Sequence, residues 1–165
     1  MLTSITILHS ILTLAIGPTI GLGILLILVI AAVFIIVALW LKKSGKGVLA
    51  EFEVEHPGEK ILHKDGANFF GLQSKGMGQV RGNGLLILTK RKLYFRQFVP
   101  AKWFEIPLAW ISSLAHPRSF LGKSKGMKLL VVNYTNQEGA ADAIGWAVND
   151  LDKWSELITS KRGKT

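Results

Sequence analysis

Residues 84–95 read Gly-Leu-Leu-Ile-Leu-Thr-Lys-Arg-Lys-Leu-Tyr-Phe, two apolar runs joined by a basic turn. Apolar runs of strand length on either side of a short polar turn predict two antiparallel strands, Gly84–Thr89 and Leu93–Phe98, in a hairpin whose apolar residues alternate inward. Outward from this hairpin the same grammar repeats. It predicts strands at Glu59–His63, Asn68–Leu72, Trp103–Pro107, Trp110–His116, Met127–Tyr134 and Ala141–Val148. The punctuation between them is Lys64-Asp65-Gly66, the glycines at 76, 78, 82 and 84, Pro100, Pro117 and Asn136–Gly139. Short strands at roughly 8–12-residue spacing indicate an antiparallel sandwich or barrel, not βαβ units.

The last segment changes period. After Asn149 and Asp150, which suit a helix start, Leu151, Trp154, Leu157 and Ile158 recur at helical spacing. The fold class is therefore a mainly-β barrel or sandwich of about seven strands capped by a C-terminal α-helix, with Trp154 filling the barrel mouth.

Four segments appear in a telling order: Pro57–Leu62 (Pro-Gly-Glu-Lys-Ile-Leu), the hairpin Gly84–Phe95, Ile106–Ile111 (Ile-Pro-Leu-Ala-Trp-Ile) and a terminal helix carrying Trp154. In these the chain resembles the pleckstrin-homology-like (PH-like) superfamily, and is most similar to its GRAM and bacterial PH branches, over about residues 50–160. The resemblance implies a PH-like barrel. The Lys followed by an Arg/Lys-x-Arg cluster that phosphoinositide-binding members carry is incomplete, since Lys75 and Arg81 are followed by Gly82 and Asn83. Trp110 stands where related sequences often have a polar or acidic residue.

The N-terminal quarter is a different material. All 20 basic and 11 acidic residues of the 165-residue chain lie after Leu41. From Thr19 to Leu41 run 23 uncharged residues, about 34 Å as a helix at about 1.5 Å per residue, enough for a hydrocarbon core of about 30 Å. Trp40 suits the interface, and Lys42, Lys43 and Lys46 follow at once. A cleaved signal peptide competes, but no basic n-region precedes the apolar run and the run is too long. The organisation is then an apolar segment 1–18 interrupted by Gly17-Pro18, a transmembrane helix 19–41, a basic linker 42–47 and a PH/GRAM-like domain 48–162. Lysines on one flank alone place the domain in the cytoplasm and the N-terminus outside the cell membrane, with a single pass.

Few residues suggest catalysis. The chain has no cysteine, which removes disulfides, thiolate metal sites and cysteine nucleophiles. His56 and His63, with Glu59 between, lack the HExxH spacing, and His116 is remote, so no metal site is expected. The glycine-rich stretch Gln73–Gly84 fits neither GxGxxG nor a P-loop and reads as a mobile hairpin loop. No serine sits in GxSxG. No catalytic residue and no cofactor is expected.

Charge is the sharper signal. Residues 42–65 are net neutral, residues 66–137 carry eleven basic residues against Glu105 alone, and residues 138–165 are net −1. Beside an anionic leaflet each nearby Lys or Arg contributes about 1 kcal/mol. The expected function is a non-enzymatic, membrane-tethered binding module contacting anionic lipid headgroups or a partner protein at the inner leaflet. Its expected contact residues are Lys90, Arg91 and Lys92 in the hairpin turn, with Lys123 and Lys125 in a second exposed loop. The alternative is an accessory subunit of a membrane protein complex, its barrel a docking platform. Nucleic acid is disfavoured because Phe95, Trp103 and Phe104 fall within strands rather than on a stacking platform.

Overall fold

The computed structural model describes the backbone of residues 2–162 and the side chains of residues 21–39 and 45–162. The chain divides into two compact units, Met1–Lys43 and Ser44–Thr165. One helix, α1 (Leu2–Glu55), contains the segments read from sequence as 1–18, 19–41 and the linker 42–47, and continues to Glu55. A proline removes one intrahelical hydrogen bond, yet Pro18 does not end the helix. In the first unit Gly21–Leu39 is, among the described residues, the one helical stretch long and apolar enough to cross a membrane, and none of it is buried in the protein. Trp40, Lys42 and Lys43 lie outside the residues whose side chains are described; Lys46 is exposed.

In the second unit β1 (His63–Leu72), β2 (Gly82–Leu88), β3 (Lys92–Gln97), β4 (Lys102–Pro107), β5 (Ile111–Ala115), β8 (Leu130–Thr135) and β9 (Ala141–Val148) form one antiparallel sheet. Its order is β4-β3-β2-β1-β9-β8-β5. A small second hairpin, β6 (Ser119–Phe120) with β7 (Lys123–Ser124), lies between β5 and β8, and α2 (Leu151–Arg162) follows. Asp150 caps α2, its Oδ1 accepting from the Lys153 N–H at 3.0 Å.

Every strand of the large sheet sends side chains into one core, among them Phe69, Leu86, Phe95, Ile106, Ile111, Val132 and Trp146. Trp154 and Ile158 of α2 enter the same core fully buried, so the terminal helix closes it as expected. The domain is the sandwich expected: a seven-stranded antiparallel sheet folded over one core and capped by a C-terminal helix.

Three segments differ from the sequence reading. Lys64-Asp65-Gly66, read as a turn, is the interior of β1. These residues pair with Ile87, Leu86 and Leu85 of β2, and that ladder outweighs the local turn preference. Glu59–Leu62 is outside the strands. Residues 44–55 are helical and cover the outer face of the first hairpin: Val48 and Phe52 pack on Leu85, Ile87 and Tyr94. Thus Leu86, Leu88, Leu93 and Phe95 face the main core, while Leu85, Ile87 and Tyr94 face the helix. This is why Gly84–Leu88 is a continuous apolar run and not an alternating one.

The outer face of the other half is covered by the β6–β7 segment, with Phe120 packed on a cluster containing Phe70, Leu129 and Val131. The close approach requires glycine: a Cβ on Gly145 would stand 2.7 Å from the Phe120 ring, and Gly71, at φ +142°, faces Leu121.

Candidate functional surface

β2 runs from Gly82 to Leu88, about 20 Å at about 3.3 Å per residue, and so separates two ends of the domain. At the Leu88 end lies the basic turn. Thr89 shapes it by accepting from the N–H groups of Arg91 and Lys92. Arg91 donates to Glu59 at 2.8 Å, and Lys92 to Glu105 at 3.0 Å. Lys90 is exposed and has no partner among the described residues. Burial works to raise the Glu59 pKa, but the Arg91 hydrogen bond and the Arg91 and Lys92 charges outweigh it and hold the carboxyl below its ordinary value.

The second pair of predicted contact residues lies at the other end, toward Gly82. Lys123 is not a free loop cation: its ammonium donates to the carbonyls of Phe70, at 3.3 Å, and Gln79, tying β7 to β1 and to the β1–β2 loop. Lys125, two residues on, is exposed without a partner among the described residues. The five predicted contact residues are therefore not one site. One turn holds three of them, two already ion-paired, and the opposite end holds a structural lysine and a free one.

The glycine-rich β1–β2 loop, read as mobile, is tied down by one side chain. Gln79 accepts from the Leu72 N–H at 3.0 Å and donates to the carbonyls of Leu72 and Gly76, both at 2.7 Å. Arg81 donates to the Ser124 carbonyl at 2.8 Å and lies over the Phe70 ring. These ties leave the loop's apolar side chains outward. Met77 is 69% and Val80 74% exposed, and Val99 of the adjacent β3–β4 loop is 63% exposed. A shallow cleft of about 210 Å³ between the two loops is lined by Val80, Pro100, Lys102 and Phe104 among others. Lys102 lines this cleft with Val80, its ammonium over the Phe104 ring, and Lys75 and Lys125 are exposed. Sequence reading missed this combination because exposure of Met77, Val80 and Val99 depends on which loops the sheet register brings together.

Among the described residues, His116 and His63 both contact the terminal helix. His116 Nε2 lies 2.9 Å from Ser155 Oγ, but that hydroxyl already donates to the Leu151 carbonyl at 2.7 Å, so His116 is the donor and the pair tethers α2. His63 packs on the Trp154 ring at 4.7 Å, and burial with the Lys153 charge lowers its pKa. Among the described residues no group of three or more His, Asp or Glu is placed to hold a metal ion.

No protein-family model and no curated protein matches the sequence. Solved structures align with this chain. The C-terminal domain of an unknown protein from Leishmania infantum is 16% identical, with a TM-score of 0.52, over 72% of this chain and 98% of that one. The DH/PH domains of p115-RhoGEF align at 16% identity and TM-score 0.49, over 76% of this chain and 37% of that one. A structure of human RhoA with the DH/PH fragment of PDZRHOGEF aligns at 14% identity and TM-score 0.48, over 70% and 32%.

Proposed function

We propose that this chain is a single-pass, membrane-tethered binding module whose PH-like domain faces the cytoplasm and contacts anionic lipid through its open loop end. It performs no chemistry of its own. Its barrel belongs to the GRAM or bacterial PH branch that residues 84–95 and 106–111 resemble. The apolar stretch Gly21–Leu39 supports the anchor, and Lys42, Lys43 and Lys46 on one flank support the orientation.

One observation carries the lipid reading: exposed Met77, Val80 and Val99 project from two adjacent loops, with Lys102 in the cleft beside Val80 and Lys75 and Lys125 exposed. Apolar tips beside exposed cations suit the boundary between headgroups and acyl chains, where burial and electrostatic attraction add. The hairpin turn at the other end suits it less, because Arg91 and Lys92 are already neutralised by Glu59 and Glu105.

Flotation of the unit Ser44–Thr165 with vesicles containing phosphatidylserine, against pure phosphatidylcholine vesicles, tests the reading. Binding is expected to the anionic vesicles alone. It is expected to weaken as salt shortens the Debye length from about 10 Å at 0.1 M to about 3 Å at 1 M. Equal recovery with both vesicle types contradicts it.

A further inference from the structure

We infer that the open end of the β6–β7 hairpin binds the phosphomonoester headgroup of a membrane lipid. The inference rests on the reading of the domain as lipid-contacting and adds the class of headgroup. Between Pro117 and Leu129 the chain carries Arg118, Lys123, Lys125 and Lys128 and no acid.

Backbone ties bring these positions together. Ser119 pairs with Ser124, so Arg118 and Lys125 stand one step beyond that pair, one on each side of the hairpin's open end. The Ser124 hydroxyl donates to the Arg118 carbonyl at 2.7 Å and accepts from the Gly126 N–H at 3.2 Å. The Leu129 N–H donates to the Pro117 carbonyl at 2.8 Å, which brings Lys128, the residue before Leu129, to the same end. Arg81 donates to the Ser124 carbonyl at 2.8 Å and adds a fourth cation. The hairpin itself is held. Leu121 and Gly122, at φ +50° and +71°, form the two-residue turn that short hairpins favour, and Lys123 anchors β7 on the Phe70 and Gln79 carbonyls.

Arg118, Lys125 and Lys128 are exposed, and among the described residues none of them has an ion-pair partner. Glu105, the one acid of residues 66–137, is already paired with Lys92. Like charges gathered on paired strands repel, and an anion placed among them removes that cost. At the Lys90–Lys92 turn, Glu59 and Glu105 do this from within the protein. At the hairpin end the anion comes from outside. A phosphomonoester carries about −1.5 to −2 charges at pH 7 with three acceptor oxygens, which suits several cations better than the single charge of a phosphodiester. A guanidinium fork also meets two of those oxygens at once. Met127 favours a lipid as the source: it is 37% exposed, next to Lys128, and enters the acyl boundary once the phosphate is held. Phosphatidic acid has this chemistry.

The test uses the full chain in neutral detergent, labelled at its three methionine methyl groups with carbon-13. The Met77 and Met127 resonances are assigned by their loss in Met77→Leu and Met127→Leu. Dioctanoyl phosphatidic acid is expected to shift Met127 saturably, with an affinity about tenfold above that of dioctanoyl phosphatidylserine. Glycerol 3-phosphate is expected to compete, but only at concentrations about tenfold higher or more. Arg118→Gln with Lys128→Gln should weaken the phosphatidic acid response about tenfold, the Met77 resonance of the lipid-free variant reporting an unchanged fold. The proposal is overturned if Met127 does not respond to phosphatidic acid, or responds equally to phosphatidylserine. It is also overturned if glycerol 3-phosphate binds as tightly as the lipid, or if the double variant binds as the unmodified chain does. Met77 reports the loop-tip reading separately: unmoved by phosphatidylserine, it contradicts that reading, while Met127 alone decides this one.

Discussion

Lys123 and Lys125 are two residues apart in one glycine-flanked loop, yet one is part of the structure and the other is free. Lys123→Met removes a charged donor from the Phe70 and Gln79 carbonyls, and should cost about 1.5–3 kcal/mol in urea unfolding of the unit Ser44–Thr165. The matching Lys125→Met change should leave stability within about 0.5 kcal/mol. Nothing in the local sequence separates the two, because Lys123 acquires its partners from residues more than forty positions away. Trp154 was legible, since helical spacing placed it on the buried stripe, and Trp154→Ala should cost about 3–5 kcal/mol. His63, packed on that indole, has its pKa lowered, so its neutral form is the one the folded state favours. Its contribution is full above about pH 6.5 and is lost as pH falls through its lowered folded value. Urea midpoints should therefore fall between pH 7.5 and 5.5, and fall less in His63→Gln. An equal decline in both would assign the pH dependence elsewhere.

Elements obeyed the sequence where their own pattern decided and departed from it where a neighbour decided. The hairpin of Gly84–Leu88 and Lys92–Gln97, the strand Ala141–Val148 and the terminal helix carry enough periodicity to be read alone. Lys64-Asp65-Gly66 carries turn residues, yet β2 supplies a ladder that keeps it extended. The helix over residues 44–55 went unread because its apolar stripe is only Val48, Leu49 and Phe52, and because three nearby lysines and two glycines resemble a linker. The trace it leaves is indirect. Leu85 and Ile87 interrupt the alternation of β2, which means both faces are covered. Glu51 then fixes the helix, bonded to Arg96 at 3.0 Å and to the Trp103 indole N–H at 3.1 Å. Phe52→Asp should uncover Leu85, Ile87 and Tyr94, and show as a gain in binding of a hydrophobic dye with the strand signal in circular dichroism retained. An unchanged dye signal would mean that the helix does not cover that face in solution.

At the scale of the whole molecule, the sequence divides the charge correctly but cannot say which surface the charge serves. Eleven basic residues lie between positions 66 and 137, and the fold sends them to opposite ends and consumes several internally. Arg91 and Lys92 are ion-paired, Lys123 holds two carbonyls, and Arg81 holds Ser124. Lys75, Lys102 and Lys125 are among the exposed cations that remain, and Lys102 lies beside the Val80 tip. The orientation expected from Lys42, Lys43 and Lys46 predicts that a reporter fused after Thr165 is cytoplasmic, and an extracytoplasmic signal would reverse it. The central claim, that the loop end is the lipid-contacting surface, is tested most directly by one comparison in the unit Ser44–Thr165. Two variants are floated with phosphatidylserine vesicles: Met77→Ser with Val80→Ser, Lys102→Glu and Lys125→Glu at the loop end, and Lys90→Glu at the opposite turn. The account predicts that the loop-end variant loses binding at least tenfold while Lys90→Glu binds as the unmodified domain does. Loss in Lys90→Glu with binding retained in the loop-end variant would contradict it.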